Sequence, residues 1–122
     1  MNRLLILIFF MVITLYANGQ SKSDFVKKWN IEGYIYLGMT FAPEEHEKND
    51  YIHFLNDGTF NSAEAGKIEK GTWEWKADEK TMYLSQSEET LALKVVKVKE
   101  DELILLIEED GESIKIKYKR SA

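Results

Sequence analysis

The sequence predicts an all-β protein, an eight-stranded antiparallel up-and-down barrel, and three observations carry that prediction. From Glu32 onward apolar residues alternate with polar ones, the period of a strand with one buried face. Turn signals such as Asp57-Gly58, Ala65-Gly66 and Asp110-Gly111 recur between these runs. Bulky apolar residues can be matched across the hairpins, so that they share one face. Short strands joined in this way favour a barrel, because closure removes exposed edges; a two-sheet sandwich is the alternative.

The 122 residues, 44% apolar and 30% charged with a single proline, describe one globular domain. A targeting segment precedes it. Arg3 supplies a basic start, Leu4 to Tyr16 form an apolar run broken only by Thr14, and the small residues Ala17 and Gly19 follow. That pattern is a secretory signal peptide over residues 1–19, cleaved after Gly19 or, alternatively, after Ala17. The run is too short for a membrane span, which needs about 20 apolar residues. The expected product is a barrel domain over residues 20–122, exported to the periplasm or released, with no membrane span once the signal is removed. A domain of about 100 residues buries only roughly 60–70% of its unfolded surface, so most of its core must go to stability. Cysteine is absent, which excludes disulfides, thiolate metal sites, thiol nucleophiles and lipid-modified cysteine. With 21 acidic against 16 basic residues and a net charge of −5, a nucleic-acid partner is not expected.

In chain order, residues 21–30 read as a linker and a short N-terminal helix, capped by Ser23 or Asp24, with Phe25 and Trp29 four apart on one face. Such a helix cannot stand alone in water and is expected to plug one barrel end. Residues 32–41 read as one strand, with Ile35, Leu37, Met39 and Phe41 on its apolar face, ended by Pro43. A charged loop follows. Around Asp57-Gly58, a three-residue loop with Gly58 left-handed pairs Phe54 with Phe60 and Ile52 with Ser62, keeping all the apolar residues inward. After the reversal at Ala65-Gly66, Trp73 and Trp75 share one face, and a loop over residues 77–80 pairs Trp75 with Met82 and Trp73 with Leu84. The next hairpin pairs Leu84 with Leu91 and Met82 with Leu93. Leu91, Leu93 and Val95 then have one parity and Val96 and Val98 the other, which calls for a bulge near Val95-Val96. Val98 pairs with Leu103, and a two-residue turn at Asp110-Gly111 pairs Ile107 with Ile114, Leu105 with Ile116 and Leu103 with Tyr118. Ile104 and Leu106 are left facing outward, under the N-terminal helix or in a contact with another chain.

The run F-L-N-D-G-T-F (residues 54–60), followed by G-T-W-E-W (residues 71–75), resembles the lipocalin-like domain of small secreted proteins of Bacteroidota. Met82-Tyr83-Leu84, the E-D-E-L turn (residues 100–103) and the closing I-K-I-K-Y-K-R (residues 114–120) continue the similarity over nearly all of the exported chain. The resemblance implies an eight-stranded barrel with a short N-terminal helix. Its motifs are turns and core aromatics, so it carries over no catalytic residue. Many members are lipoproteins, and this chain lacks the cysteine for that.

Two readings of the interior stay open. Leu37, Met39, Phe54, Phe60, Trp73, Trp75, Met82, Leu84, Leu93 and Tyr118 are the candidate lining of a site for a small hydrophobic ligand. The same aromatics can instead fill a small core, leaving a protein-interaction or envelope-structural module that works through its outer face. A void of about 300 Å³ or more between Trp73, Trp75, Phe54 and Leu93 would favour the ligand.

Nothing else in the sequence points to chemistry. Glu44-Glu45-His46-Glu47 puts a histidine among carboxylates, but in a loop that supplies no fixed ligand geometry, so no metal site is expected. His53 is expected to face outward. There is no G-x-S-x-G, phosphate loop, G-x-G-x-x-G or H-E-x-x-H. Lys115, Lys117 and Lys119 make a solvent face, and the acidic runs at residues 100–102 and 108–110 are turns without calcium-loop spacing. The expectation is a non-enzymatic protein with no cofactor.

Overall fold

The structure, a computed structural model, describes residues 21–122; the expected signal peptide lies outside the described residues. Among them nine strands form one antiparallel sheet. They are β1 (Lys28–Tyr36), β2 (Met39–Phe41), β3 (Tyr51–Phe54), β4 (Thr59–Glu64), β5 (Lys67–Lys76), β6 (Thr81–Gln86), β7 (Glu89–Val98), β8 (Glu102–Glu109) and β9 (Glu112–Arg120). Strands β3 to β9 pair in sequence order, β9 returns to β1, and the start of β1 pairs with β3. Eight strands thus close the barrel, and β2 is an extra strand laid on the second half of β1.

The hairpin registers follow the apolar matches. Phe54 faces Phe60 across a loop in which Gly58 is left-handed (φ 89°), and the Asp57 carboxylate accepts from the Thr59 amide and hydroxyl at 2.9 and 2.6 Å. Those two bonds hold the Asp57 carboxyl below its usual range and fix the turn. Trp73 pairs with Leu84, Met82 with Leu93, and Leu105 with Ile116, all on the inner face. The expected bulge is present as a register shift between Val95 and Lys97.

Two elements differ from expectation. The N-terminal helix is a single 3-10 turn (Lys22–Asp24), and Trp29 lies on β1 rather than on a helix. Phe25 and Trp29 are both fully buried, and the Trp29 indole N–H donates to the Phe25 carbonyl at 3.1 Å, so a turn followed by a strand satisfies what the spacing of four had suggested of a helix. The expected strand over residues 32–41 reverses at Leu37-Gly38, both with positive φ, and returns as β2. Positive φ at both central residues is the two-residue hairpin turn. It throws Leu37 and Met39 onto the outside, 81% and 61% exposed, so neither belongs to the barrel interior.

The core occupies one end of the barrel. Phe25 crosses that end with its ring 4.8 Å from Trp75 and 6.3 Å from Trp73, and Phe54 lies 5.0 Å from Trp73. Met82, Leu103 and Leu105 complete it, each essentially without exposed surface. The Trp73 indole donates to the Leu55 carbonyl at 3.0 Å, so burial of the ring leaves no stranded donor. Ile104 faces outward as expected but is nearly covered with no helix over it: its neighbours across the sheet are Lys97 and Lys117, whose ion pairs to Glu102 and Glu32 hold their stems beside it.

Candidate functional site

Alternation alone would carry apolar side chains inward along the whole length of each strand, but towards the other end of the barrel the inward positions change character. Ser62 is followed two residues on by Glu64, Leu91 is preceded by Glu89, and Ile107 is followed by Glu109. On β5 the inward position opposite Phe60 is Gly71, where a Cβ would lie 2.2 Å from the Ser85 carbonyl oxygen and 2.7 Å from the Phe60 ring. No side chain can enter the barrel there, and β5 can approach β6 closely.

The result is a cavity of about 850 Å³. Its apolar walls come from Ile31 and Ile52 on one side and from Leu84, Leu93, Leu105 and Ile116 on the other, with Phe60 among them. Leu91, 42% exposed, marks the approach to solvent. The loop between β2 and β3, which leaves the sheet where β1 exchanges β3 for β2 as its partner, adds His46, Glu47 and Asp50.

The polar side of the cavity is acidic. Glu47, Asp50, Glu64, Glu89 and Glu109 all line it, and among the described residues no lysine or arginine does. Tyr34 on β1 donates its phenol to Glu47 Oε2 at 2.6 Å, and the Glu44 amide donates to Glu47 Oε1 at 3.2 Å. The Tyr34 bond is the main reason the Glu47 carboxyl sits below its usual range. Burial, then Glu47, push the Tyr34 hydroxyl well above the ordinary tyrosine value. Asp50 is held by the Ala65 amide, 2.8 Å from Oδ1. Glu64 is the contrasting group: surrounding protein, then Glu69, Asp50 and Glu47, push its carboxyl upward, while the cavity leaves it open to water. Tyr118 on β9 is partly buried in the cavity wall, and burial, then the nearby Glu64 and Asp50, push its hydroxyl above the ordinary tyrosine value.

The ten candidate lining residues therefore separate into three places. Phe60, Leu84, Leu93 and Tyr118 line the cavity. Phe54, Trp73, Trp75 and Met82 belong to the packed end, where the space between the tryptophans, Phe54 and Leu93 is occupied by side chains, Phe25 foremost. Leu37 and Met39 are on the outer hairpin. Phe60 lines the cavity, and the two tryptophans do not. The sequence reading passed over Glu64, Glu89 and Glu109, although their inward parity was available as a signal. Asp50 and Tyr34 depend on the path of the loop and on a register shift in β1 near Glu32, which no local pattern announces.

Glu44, His46 and Glu47 come together, their ligand atoms within 4.8 Å of one another. His46 Nδ1 lies 3.5 Å from Glu44 Oε2, both are well exposed, and Glu47 is already engaged by Tyr34. His53 sits on the outer face opposite Asn61.

No protein-family model matches the sequence, and no curated protein matches it. Solved structures similar in fold include two from Bacteroides. A lipocalin-like protein from Bacteroides uniformis ATCC 8492 superposes with a TM-score of 0.61 at 17% identity, covering 80% of this chain and 99% of that one. A DUF4847 family protein from Bacteroides vulgatus ATCC 8482 does so with a TM-score of 0.60 at 12% identity, covering 80% of this chain and 94% of that one. At these identities the likeness is one of fold, and the fold is lipocalin-like.

Proposed function

We propose that this protein is an exported, non-enzymatic carrier that takes one small, largely apolar molecule into the open half of its barrel. The cavity carries the reading. Its volume of about 850 Å³ falls within the roughly 300–1,000 Å³ of small-molecule sites, and it sets an apolar wall opposite a polar, acidic side. The lipocalin-like fold supports it, and residues 1–19 support export. An enzyme is the weaker reading, because the only side chains of the cavity hydrogen-bonded to each other among the described residues are Tyr34 and Glu47, which is not a nucleophile with its base. The rival binding module, a solid barrel working through its outer face, has the packed end in its favour and the cavity against it.

Calorimetric titration with decanol tests the reading, alongside mass spectrometry of small molecules that co-purify with the exported protein. Saturable one-to-one binding of decanol, lost when the buried cavity residue Ser62 is enlarged in Ser62→Phe, is the expected result. An unliganded protein indifferent to decanol and to a panel of aromatics would overturn it.

A further inference from the structure

Among the described residues only two polar side chains are buried, Thr81 and Ser62. Thr81 does not line the cavity, and its hydroxyl donates to the Glu79 carbonyl at 3.0 Å. Ser62 stands in the cavity wall, 5% exposed, and its hydroxyl has no hydrogen-bond partner among the described residues. Every side-chain oxygen and nitrogen of those residues that is sealed from solvent does have one, so the Ser62 Oγ is not sealed: its small remaining surface opens on the cavity.

The register of the sheet sets that direction. On β4 the inward positions run Phe60, Ser62, Glu64, and Ser62 pairs with Ile52, itself buried and part of the cavity wall. The cross-strand neighbour on the other side, Glu69, turns its carboxylate to Lys67 Nζ at 3.4 Å. The apolar wall asks for alanine or valine at this position, and the hydroxyl there adds nothing to the protein's own hydrogen bonding.

We infer that Ser62 is the polar anchor of the cavity: its hydroxyl hydrogen-bonds an uncharged oxygen of the ligand, a hydroxyl or a carbonyl, while the ligand's apolar body lies against Phe60, Leu93 and Leu105, where the cavity meets the packed end. The inference rests on the carrier reading and deepens it, adding the chemistry of the ligand's head. A serine hydroxyl both donates and accepts, so an alcohol and a carbonyl are equally served. An ionised head would exchange its hydration for one hydroxyl beside Ile52 and Phe60, a cost that a single neutral hydrogen bond does not offset.

Ser62→Ala removes the oxygen and little else, and two measurements read its effect. The first is thermal unfolding without ligand. A hydroxyl with no partner in the protein should leave the melting temperature within about 4 °C of the parent, or raise it, when deleted; a fall of more than about 4 °C shows a hydroxyl used within the fold and overturns the inference, whatever binds. The second is binding of decanol, by calorimetry, against 1-fluorodecane, the same chain without the hydroxyl, by fluorine NMR. Decanol should bind Ser62→Ala about three- to tenfold more weakly than the parent, while 1-fluorodecane binds both alike or prefers the variant. Decanol weakened less than about threefold, or 1-fluorodecane weakened as much as decanol, overturns the anchor and leaves the carrier standing. No binding of either probe to the parent overturns both.

Discussion

Replacing Phe25 by alanine is the sharpest test of how the barrel is closed. Phe25 belongs to no strand and follows a single 3-10 turn, yet its side chain is fully buried and its ring contacts both Trp73 and Trp75. Truncating a buried phenylalanine costs about 3–5 kcal/mol, of which each aromatic pair supplies about 0.5–1.5 kcal/mol beyond area burial. The lower part of that range applies here, because residues 21–27 are tied to the barrel by few backbone bonds and can settle partway into the space. A loss of about 3 kcal/mol takes a large share of the roughly 5–15 kcal/mol that holds such a domain together. It should lower the melting temperature by about 12–24 °C, at about 4–8 °C per kcal/mol for a domain of this size. Urea unfolding followed by tryptophan fluorescence measures it, with a displaced midpoint, an unchanged slope and red-shifted native emission expected. Phe25→Leu should cost less than half as much. If Phe25→Ala leaves stability within about 0.5 kcal/mol of the parent, the N-terminal segment does not close this end and the account of the core is wrong.

Other outcomes follow from the same structure. Gly71→Ala pushes a methyl group into the Ser85 carbonyl and should destabilise by about 1–3 kcal/mol in urea unfolding, whereas Thr72→Ala, one residue on with its side chain on the other face, should stay within about 0.5 kcal/mol. Glu64 holds its proton more tightly in the folded protein than in the unfolded chain, so its contribution to stability is fully present below the ordinary glutamate pKa of 4.5 and is lost as pH rises through the raised folded value. Glu64→Gln, a mimic of the protonated acid, should therefore stabilise the protein relative to the parent at neutral pH, with the difference fading in acid; a parent more stable than the variant at neutral pH would contradict this. Tyr34→Phe removes the bond that lowers Glu47, and an NMR titration of the Glu47 carboxyl should show its pKa rising towards the ordinary value.

Much of the fold was legible because turn chemistry and apolar alternation constrain each other. At Asp57-Gly58 only the bulged turn keeps Ile52, Phe54 and Phe60 on one face, and the parity fault at Val95-Val96 demanded the bulge that is present. The reversal at Leu37-Gly38 was hidden because Leu37, Met39 and Phe41 continue the alternation of β1 across it, and leucine is an unusual residue for a left-handed turn position. The spacing of Phe25 and Trp29 was ambiguous for a different reason: over so few residues, helix periodicity cannot be told from a turn that runs into a strand. The site was half legible. Alternation says which side chains point inward but not how far along the barrel axis they lie, so the deep residues Trp73 and Met82 and the cavity residues Leu84 and Leu93 looked alike. Asp50 and Tyr34 reach the cavity by long-range geometry that no short window contains.

The division of this barrel into a packed end and a hollow one has a consequence for how such a chain can diverge. Phe25, Trp29, Phe54, Met82 and Leu103, which hold the packed end together, do not line the cavity, whereas Ile52, Phe60, Leu93 and Leu105 belong to both. A substitution at Glu64, Glu89, Leu91 or Glu109 changes the charge or shape offered to a guest without drawing on the packing that sets the melting point. Relatives sharing this barrel are therefore expected to exchange cargo readily while preserving the aromatic cluster and the turns.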